Sequence, residues 1–258
     1  MVGTRERRVR IVELVAESEQ VDVADLATQF GVSETSIRRD LTVLENQSRL
    51  RRVYGGAVAT HVAGRDTIVS VKQREHQAEK RCIAELAATL ISPGSVVLFD
   101  SGTTVAQVAA RLPGPLRTAG AVTVVTSSLL VVEQLAVRET GDLICLGGLF
   151  LPDYQAFVGP QTVSSLRGLF ADVALLGCDG LSLEAGITTP HVLIAEVGAA
   201  MADRAQRVVA LADSSKLGRT GLTTIVPLSE VDVLVTDSAA DPALVARIRE
   251  AGVEVLLA

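Results

Sequence analysis

Seven short apolar runs, separated by helical stretches, are the feature that most constrains how this sequence can fold beyond residue 74. Each run is rich in Val, Leu and Ile along its whole length, which is typical of strands buried on both faces of a sheet. Strands of this kind that alternate with helices predict a mostly parallel α/β domain. The predicted strands are residues 96–99, 122–125, 143–146, 173–176, 208–211, 233–235 and 253–256.

Small polar residues and glycines follow the ends of these predicted strands. Ligands of open α/β sheets bind at the carboxyl ends of the strands, so we expect these residues to line a common site. Gly102 lets the backbone approach a ligand closely, and Thr103 and Thr104 stand where the next helix should begin, which favours a bound phosphate. The candidate anion-binding residues from this pattern are Asp100, Ser101, Gly102, Thr103, Thr104, Thr126, Ser127, Asp179 and Lys216.

Each of these residues also has a purely structural interpretation. The segment after the first strand can be an efficient turn before a capped helix, and Thr126 and Ser127 can cap a helix of their own. Lys216 can be solvated on an exposed turn, and Asp179 can accept backbone N–H bonds. Their convergence on the strand ends is what favours a ligand site.

The first sixty residues predict a separate fold with three amphipathic helices. Apolar residues recur there at helical spacing, Asp22 and Ser33 can cap the second and third helices, and Gly31 can end the second. Two helices joined by a short turn that contains glycine form a helix-turn-helix. Residues 50–58, with a glycine pair, predict a β-hairpin wing after it.

Polar residues of the third helix and of the wing are the candidates for DNA contact. Short hydroxyl groups at a helix N-terminus suit phosphates and base edges, and arginine can bind guanine O6 and N7. The alternative is that Arg38 and Arg39 only solvate the surface and pair with Glu34 or Asp40. The candidate DNA-binding residues are Ser33, Thr35, Ser36, Arg38, Arg39, Thr42, Arg51 and Arg52.

The charge distribution permits DNA binding without requiring it. The net charge is −6, and it arises beyond residue 60, because acidic and basic side chains balance before that point. An acidic body repels DNA over a Debye length of about 10 Å, so basic clusters near the amino end must act at contact distance. These clusters are Arg5, Arg7, Arg8 and Arg10, and Arg49, Arg51 and Arg52.

Longer strings of residues carry a family resemblance. FGVSETSIRRDL at 30–41 is followed by Leu44-Glu45 and by LRRVYGGA at 50–57. Together they resemble the signature of the DeoR/GlpR family of bacterial regulators, with Ser36, Ser48 and Tyr54 as mild departures. The effector domain of the same family is similar to this chain over most of residues 74–258. Its matching strings are DSGTT at 100–104, GG at 147–148, GCDG at 177–180, GITTP at 186–190 and LADSSK at 211–216.

The resemblance implies a two-domain α/β protein. Residues 1–58 are expected to form a winged helix-turn-helix DNA-binding domain, 59–73 a linker, and 74–258 a larger, mostly parallel sheet domain. That sheet domain is similar to the folds of ribose-5-phosphate isomerase, glucosamine-6-phosphate deaminase and CoA-transferases. The resemblance adds Thr188 and Thr189 to the effector site, and it implies a phosphorylated sugar or polyol as effector. Gly198 and Ala199 depart from the basic pair that is usual in the family.

The expected function is that of a bacterial transcriptional regulator of carbohydrate metabolism, a repressor that is not an enzyme. Its expected partners are operator DNA and the effector, and it is expected to be a homo-oligomer, a dimer or tetramer. No apolar run reaches the roughly 18 residues that span a bilayer, so we expect no membrane partner. Three cysteines that lack metal-ligand spacing predict a reducing cytoplasm and no metal ion. No cofactor is expected.

Two alternative functions stay open at this point. Asp179, Glu196, Asp213 and Lys216 could supply the acid–base groups of an isomerase or deaminase with a DNA-binding head. A constitutive DNA-binding scaffold that has lost its effector is the other alternative, and the Gly198-Ala199 departure keeps it open.

Overall fold

The computed structural model describes residues 4–18, 20–46, 49–59, 67–118, 120–136 and 142–258. The chain separates between residues 65 and 66 into two compact units, which we name the N-terminal unit and the C-terminal unit. Within the described residues, none of the helices combines the length and the apolar character that crossing a bilayer requires.

The N-terminal unit packs three helices on a small sheet. Its elements are α1 (Thr4–Ser18), β1 (Gln20–Asp22), α2 (Val23–Phe30), α3 (Glu34–Asn46), β2 (Leu50–Val53) and β3 (Gly56–Ala59). Asp22 caps α2 by accepting the Ala24 N–H at 2.8 Å, and Gly31 ends that helix in the left-handed region, with φ of 63°. The Ser33 hydroxyl accepts the Ser36 N–H at the start of α3. The predicted caps are therefore confirmed.

The core of this unit is formed by the apolar stripes of its three helices. Ile11 of α1, Leu26 of α2 and Leu41 of α3 are almost completely buried. The sheet has the antiparallel order β1-β3-β2, and Tyr54 and Gly55 form the two-residue turn between β2 and β3. This is the predicted helix-turn-helix with its hairpin wing.

The C-terminal unit alternates helices and strands. Its helices are α4 (Ile68–Arg74), α5 (Gln77–Ala88), α6 (Thr103–Ala110), α7 (Leu129–Ala136), α8 (Pro160–Leu166), α9 (Val192–Ala202) and α10 (Pro242–Glu250). Its strands are β4 (Val96–Phe99), β5 (Thr123–Thr126), β6 (Leu143–Cys145), β7 (Leu149–Leu151), β8 (Ala156–Val158), β9 (Ala171–Gly177), β10 (Gly180–Ser182), β11 (Gly186–Thr189), β12 (Ala205–Leu211), β13 (Thr223–Val226), β14 (Val233–Thr236) and β15 (Glu254–Leu257). Short 3₁₀ turns lie at Gly114–Arg117, Ser214–Lys216 and Leu228–Glu230.

The main sheet contains the seven predicted strands, with their ends shifted by a few residues. They are all parallel, in the order β15-β14-β12-β9-β4-β5-β6. Along the chain the sheet grows from β4 to β6 in one direction and then from β9 to β15 in the other. The direction reverses between β4 and β9, so the carboxyl ends of these two strands form the topological switch point at which such sheets bind ligands.

Helices cover both faces of this sheet. Val97, Phe99 and Val209 belong to the buried cluster on one face, whereas Leu98 and Ala210 belong to the cluster on the other. Because successive side chains of a strand point to opposite faces, both sets must be apolar. This explains why the strands are apolar at every position.

Two smaller sheets were not predicted from the sequence. β7 and β8 form an antiparallel hairpin, and β10, β11 and β13 form an antiparallel sheet of three strands. Their members are only three or four residues long, and β11 (Gly186–Thr189) ends in two threonines. Runs this short give a weak strand signal.

The segment predicted as a linker is partly helical. Residues 60–66 of the predicted linker lie outside the described residues. Ile68–Arg74 forms α4, which begins after Thr67, whose hydroxyl accepts the Ser70 N–H at 3.1 Å. The C-terminal unit therefore begins earlier than residue 74. The sequence gives no clear sign of this helix, because seven residues are too few to show a recognisable period.

Candidate functional site

One face of α3 presents the predicted DNA-contacting residues. Thr35, Arg38, Arg39 and Thr42 recur at helical spacing, and their side chains are exposed or half-buried. Arg38 pairs with Glu34 one turn earlier, with 3.1 Å between Nη2 and Oε2. Such an exposed pair is worth little and leaves the arginine available to a polyanion. Ser33 and Ser36 share a hydrogen bond across 3.0 Å at the start of the same helix.

Asp40, on the opposite side of α3, binds two arginines of α1. Arg7 Nε donates to Asp40 Oδ2 and Arg8 Nε donates to Asp40 Oδ1, each across 2.7 Å. Arg7 and Asp40 are both buried. The expectation that the first basic cluster acts directly on DNA is therefore wrong for Arg7, because its guanidinium is used inside the fold to hold α1 against α3.

The base of the wing is bonded to α3. Arg52 Nη1 donates to the Thr42 hydroxyl at 2.8 Å, and the Arg52 N–H donates to Glu45 Oε1 at 2.9 Å. The side chain of Arg51 lies outside the described atoms, although its backbone is part of β2. At the tip of the wing, the Tyr54 side chain is fully exposed. Arg52 is thus fixed beside the exposed face of α3.

A cleft lies at the switch point of the C-terminal sheet. Its wall contains the whole loop Asp100–Thr104 that follows β4, and Gly177, Cys178 and Asp179 from the end of β9. Gly102 precedes α6 with φ of 135°, a conformation that favours glycine. The first amides of α6 have no intrahelical partners, so this end of the cleft suits an anion.

Two lysines line the same cleft. Lys216 lies on a 3₁₀ turn after β12, and its Nζ is 3.6 Å from Oδ2 of the fully buried Asp213. Lys72 projects from α4, forms an ion pair with Asp179, and has its Nζ 5.7 Å from the centre of the Tyr154 ring. The cleft therefore carries two ammonium groups together with the amides of α6.

The two carboxyl groups of the cleft differ in environment. Asp179 is half-buried and accepts a hydrogen bond from the Thr189 hydroxyl at 3.0 Å as well as pairing with Lys72. Asp100 is fully buried, and its Oδ2 accepts the Gly177 N–H at 3.2 Å. Burial raises the pKa of Asp100 to about 7, in spite of this hydrogen bond. Near neutral pH, Asp100 therefore adds only part of a negative charge to the cleft.

Apolar side chains complete the cleft. Val69 of α4, Ile194 of α9 and Ile225 of β13 lie in its wall beside the ring of Tyr154. Gly198 of α9 lies directly behind Ile225, since a Cβ at this glycine would be 2.6 Å from Ile225 Cγ2. The absence of a side chain at residue 198 therefore allows β13 to pack closely on α9.

Both units match models of one protein family. Residues 7–62 match the DeoR-like helix-turn-helix domain, and residues 75–238 match the DeoR C-terminal sensor domain. The chain belongs to the DeoR family of transcriptional regulators.

Relatives of this DeoR-family regulator match over almost their whole length. The chain is 36% identical over 251 residues to the HTH-type transcriptional regulator GlpR of Haloferax volcanii, covering 97% of this chain and 96% of the relative. It is 33% identical over 252 residues to the HTH-type transcriptional repressor GlcR of Bacillus subtilis, covering 98% and 95%. Ribose 5-phosphate isomerase A of Methanocaldococcus jannaschii is similar in structure, with 18% identity over 55% of each chain and a TM-score of 0.41.

The cleft brings together most of the effector residues that the sequence predicts for this regulator. Those in its wall are Asp100, Ser101, Gly102, Thr103, Thr104, Asp179, Thr189 and Lys216. Thr126, Ser127 and Thr188 are not among the residues of this wall, so their assignment to the effector site stays a prediction. Thr126 donates to the Phe99 carbonyl at 2.7 Å, and Thr188 donates to the Gly180 carbonyl at 2.9 Å, so both hydroxyls are used inside the fold. Ser127 is buried, and its carbonyl accepts the Phe157 N–H.

Sequence reasoning missed several residues of the cleft. Lys72 falls in the segment predicted as linker, and only the Thr67 cap and the basic end of α4 could have indicated a helix there. Tyr154 lies in the turn between β7 and β8, so no periodic pattern marks it. Ile194 and Ile225 look like ordinary core residues in the sequence.

Cys178 also lines the cleft. The residue is buried, and burial raises the pKa of its thiol to about 12. A thiol in this environment stays protonated at neutral pH. The interpretation of Cys178 as a small buried residue is therefore confirmed.

Proposed function

We propose that this DeoR-family regulator is a repressor whose affinity for operator DNA falls when a phosphorylated sugar or polyol binds in the cleft. The single observation that carries this proposal is the Asp100–Thr104 loop, which lies at the switch point and at the N-terminus of α6 and faces Lys72 and Lys216. Helix amides together with two ammonium groups form a site for a dianionic phosphate.

The carbon chain of such an effector has partners elsewhere in the cleft. Asp179 and Thr189 offer oxygen atoms that can bond to sugar hydroxyls, and the Tyr154 ring and Ile194 can cover the apolar side of the chain. A few polar groups in a mostly apolar pocket are typical of small-molecule sites. We therefore assign the phosphate to the α6 end and the hydroxyl groups to the Asp179 end.

The DNA-binding half of the proposal rests on α3 and the wing. Thr35, Arg38, Arg39 and Thr42 would face the major groove, with Arg52 beside them against the phosphate backbone. We infer a homo-oligomer, because paired recognition helices read operator half-sites about 34–36 Å apart or a multiple of that distance. Such a protein acts in the cytoplasm, where its DNA is.

We infer that the chain is not an enzyme. The carboxylate that would serve as a base, Asp179, is engaged by Lys72 and Thr189, and the Cys178 thiol is protonated. We expect the unsubstituted protein to convert ribose 5-phosphate and glucosamine 6-phosphate no faster than the Asp179→Asn variant does. Steady turnover that is lost in that variant would overturn this inference.

The test of the proposal combines DNA binding with a ligand panel. Fluorescence anisotropy measures the affinity for DNA upstream of the protein's own operon, at fixed salt, with and without ribose 5-phosphate, glucose 6-phosphate or sorbitol 6-phosphate. Effector coupling usually changes affinity about 5–150-fold. We expect the protein to bind this DNA specifically. We also expect at least one phosphorylated sugar or polyol, from these three or from further compounds of the same class, to release the protein from the DNA. A chain that binds operator DNA but is neither stabilised nor released by any phosphorylated sugar or polyol would be a constitutive scaffold, and the proposal would fall.

A further inference from the structure

The helix α4 connects the cleft to the part of the chain that binds DNA. In chain order, Ile68–Arg74 is the first described element after the wing, and Val69 and Lys72 of this helix line the cleft. It lies against α6, whose N-terminus forms the proposed phosphate site. An effector in the cleft would therefore touch the element to which the DNA-binding unit is joined in sequence.

Tertiary contacts hold α4 in position. A helix of seven residues is not stable alone in water, so its tertiary contacts must hold it. Val69 is its buried apolar residue, and the Val69 N–H donates to the Asp153 carbonyl at 3.1 Å. The Lys72–Asp179 ion pair is a further contact, and it lies inside the cleft, half-exposed.

A buried lysine holds the carboxyl end of α4. Lys80 of α5 donates from Nζ to the Lys72 carbonyl and to the Glu75 carbonyl, the latter at 2.7 Å. These carbonyls have no partners within α4, and a cation is favourable at the C-terminus of a helix. The backbone at Lys72 is thus fixed on α5, while its ammonium group extends to Asp179. A change in the partner of that ammonium group consequently changes the contacts that hold α4.

We propose that Lys72 is the residue through which effector occupancy reaches α4. Without effector its ammonium group pairs with Asp179. A bound phosphorylated ligand offers a stronger, dianionic partner at the opposite wall, and Lys72 then bridges α4 to the ligand on the α6 loop. This inference rests on the proposed function, and it names Lys72 as the residue that couples the site to α4 in addition to binding the ligand.

Hydrogen exchange on the full-length protein tests the first step directly. The probe is inorganic phosphate, which shares the anionic group of every candidate effector. We expect saturating phosphate to slow amide exchange both in residues 100–104 and in 68–74 of the unsubstituted protein. In Lys72→Met we expect slower exchange in 100–104 alone, and in Lys72→Arg we expect the effect on 68–74 to return.

The outcomes separate this inference from the proposed function. Protection of 100–104 without protection of 68–74 in the unsubstituted protein overturns the role of Lys72 and leaves the phosphate site standing. Protection of neither segment contradicts both proposals. Equal protection of 68–74 in the unsubstituted protein and in Lys72→Met also overturns the inference, because α4 would then respond without the ammonium group.

A second measurement follows the signal to DNA. For each variant, we measure the operator dissociation constant with and without a saturating concentration of each of the three compounds of the panel. The ratio of the two constants gives the strength of the coupling. Lys72→Met should reduce this ratio to less than about twofold. Lys216→Met should raise the ligand concentration that is required for saturation, while the ratio at saturation stays that of the unsubstituted protein. An unchanged ratio in Lys72→Met would contradict the inference.

Discussion

Arg7 donates to the carboxylate of Asp40 across 2.7 Å inside the N-terminal unit, and both residues are buried. The pair joins α1 to the side of α3 that faces away from the proposed DNA contact. Arg8 binds the second oxygen of the same carboxylate. The position of α3 against α1 therefore depends on this charge cluster.

Replacement of Asp40 by alanine should destabilise the N-terminal unit. The change leaves the Arg7 guanidinium buried without its partner, which typically costs about 3–5 kcal/mol. Differential scanning calorimetry of the full chain measures the loss. Glu34→Gln, which removes the exposed pair with Arg38, is the matched control and should cost less than about 0.5 kcal/mol. Similar losses in the two variants would show that the buried cluster is not what holds α3.

Substitutions in the two units should separate the two binding activities. Arg39→Ala removes an exposed guanidinium of α3 and should weaken operator binding by about 1–3 kcal/mol, while phosphate binding to the cleft is unchanged. Thr103→Ala should weaken phosphate binding and leave operator affinity without effector unchanged. Anisotropy and isothermal titration calorimetry measure the two affinities. If each variant impaired both activities equally, the division of labour between the units would be wrong.

Local signals made much of the fold predictable. Asp22, Gly31 and Ser33 act through hydrogen bonds or dihedral angles within a few residues of themselves, so their roles can be read from the sequence alone. The strands of the main sheet are apolar on both faces and were found for that reason. The order of those strands, and hence the switch point between β4 and β9, becomes visible only in the structure.

The candidate site was predictable only where it is built from strand ends. The Asp100–Thr104 loop and Asp179 follow strands and were identified, whereas Lys72 reaches the cleft from a helix more than a hundred residues away from Asp179 in sequence. A hydroxyl at a strand end can also bond to the neighbouring strand, as that of Thr126 does to the Phe99 carbonyl. Tertiary contacts, which the sequence does not reveal, determine whether such a side chain lines the cleft or bonds inside the fold.

Anion binding to the cleft should depend on pH through Asp100. Burial raises its pKa to about 7, so the carboxyl is mostly neutral below pH 7 and becomes an anion above it. Affinity for sulfate, whose own charge is constant near neutrality, should therefore fall as the pH rises through about 7. Titrations at a series of pH values check this. Asp100→Asn, which stays neutral, should remove the dependence, and a dependence that persisted in this variant would have another cause.

The same shift affects stability. A folded-state pKa above the ordinary value of 3.8 means that the folded protein holds this proton more tightly than the unfolded chain does. The contribution of Asp100 to the free energy of unfolding is therefore complete below about pH 4 and is lost as the pH rises to about 7.

The three cysteines should differ in reactivity. Cys82 and Cys145 are exposed, whereas Cys178 is buried with a thiol pKa raised to about 12. Since the thiolate is the reactive form, iodoacetamide at neutral pH should alkylate the two exposed residues and leave Cys178 unmodified until the protein unfolds. Peptide mass spectrometry follows each site. Rapid alkylation of Cys178 in the folded protein would mean that the end of β9 is far more accessible than the structure describes.

Gly198→Ala should push Ile225 towards the cleft. The new Cβ would be 2.6 Å from Ile225 Cγ2, and Ile225 is a β-branched residue of the cleft wall, so its side chain or β13 must move. Overpacking of this kind costs about 1–3 kcal/mol, and we also expect weaker binding of sugar phosphates because the wall moves inward. Urea unfolding and calorimetric titration measure the two effects. Ile225→Ala removes the colliding methyl group, so the double variant should lose less stability than the sum of the single changes. Strict additivity would mean that Gly198 and Ile225 do not interact, and close packing of α9 on β13 would then not account for a glycine at this position.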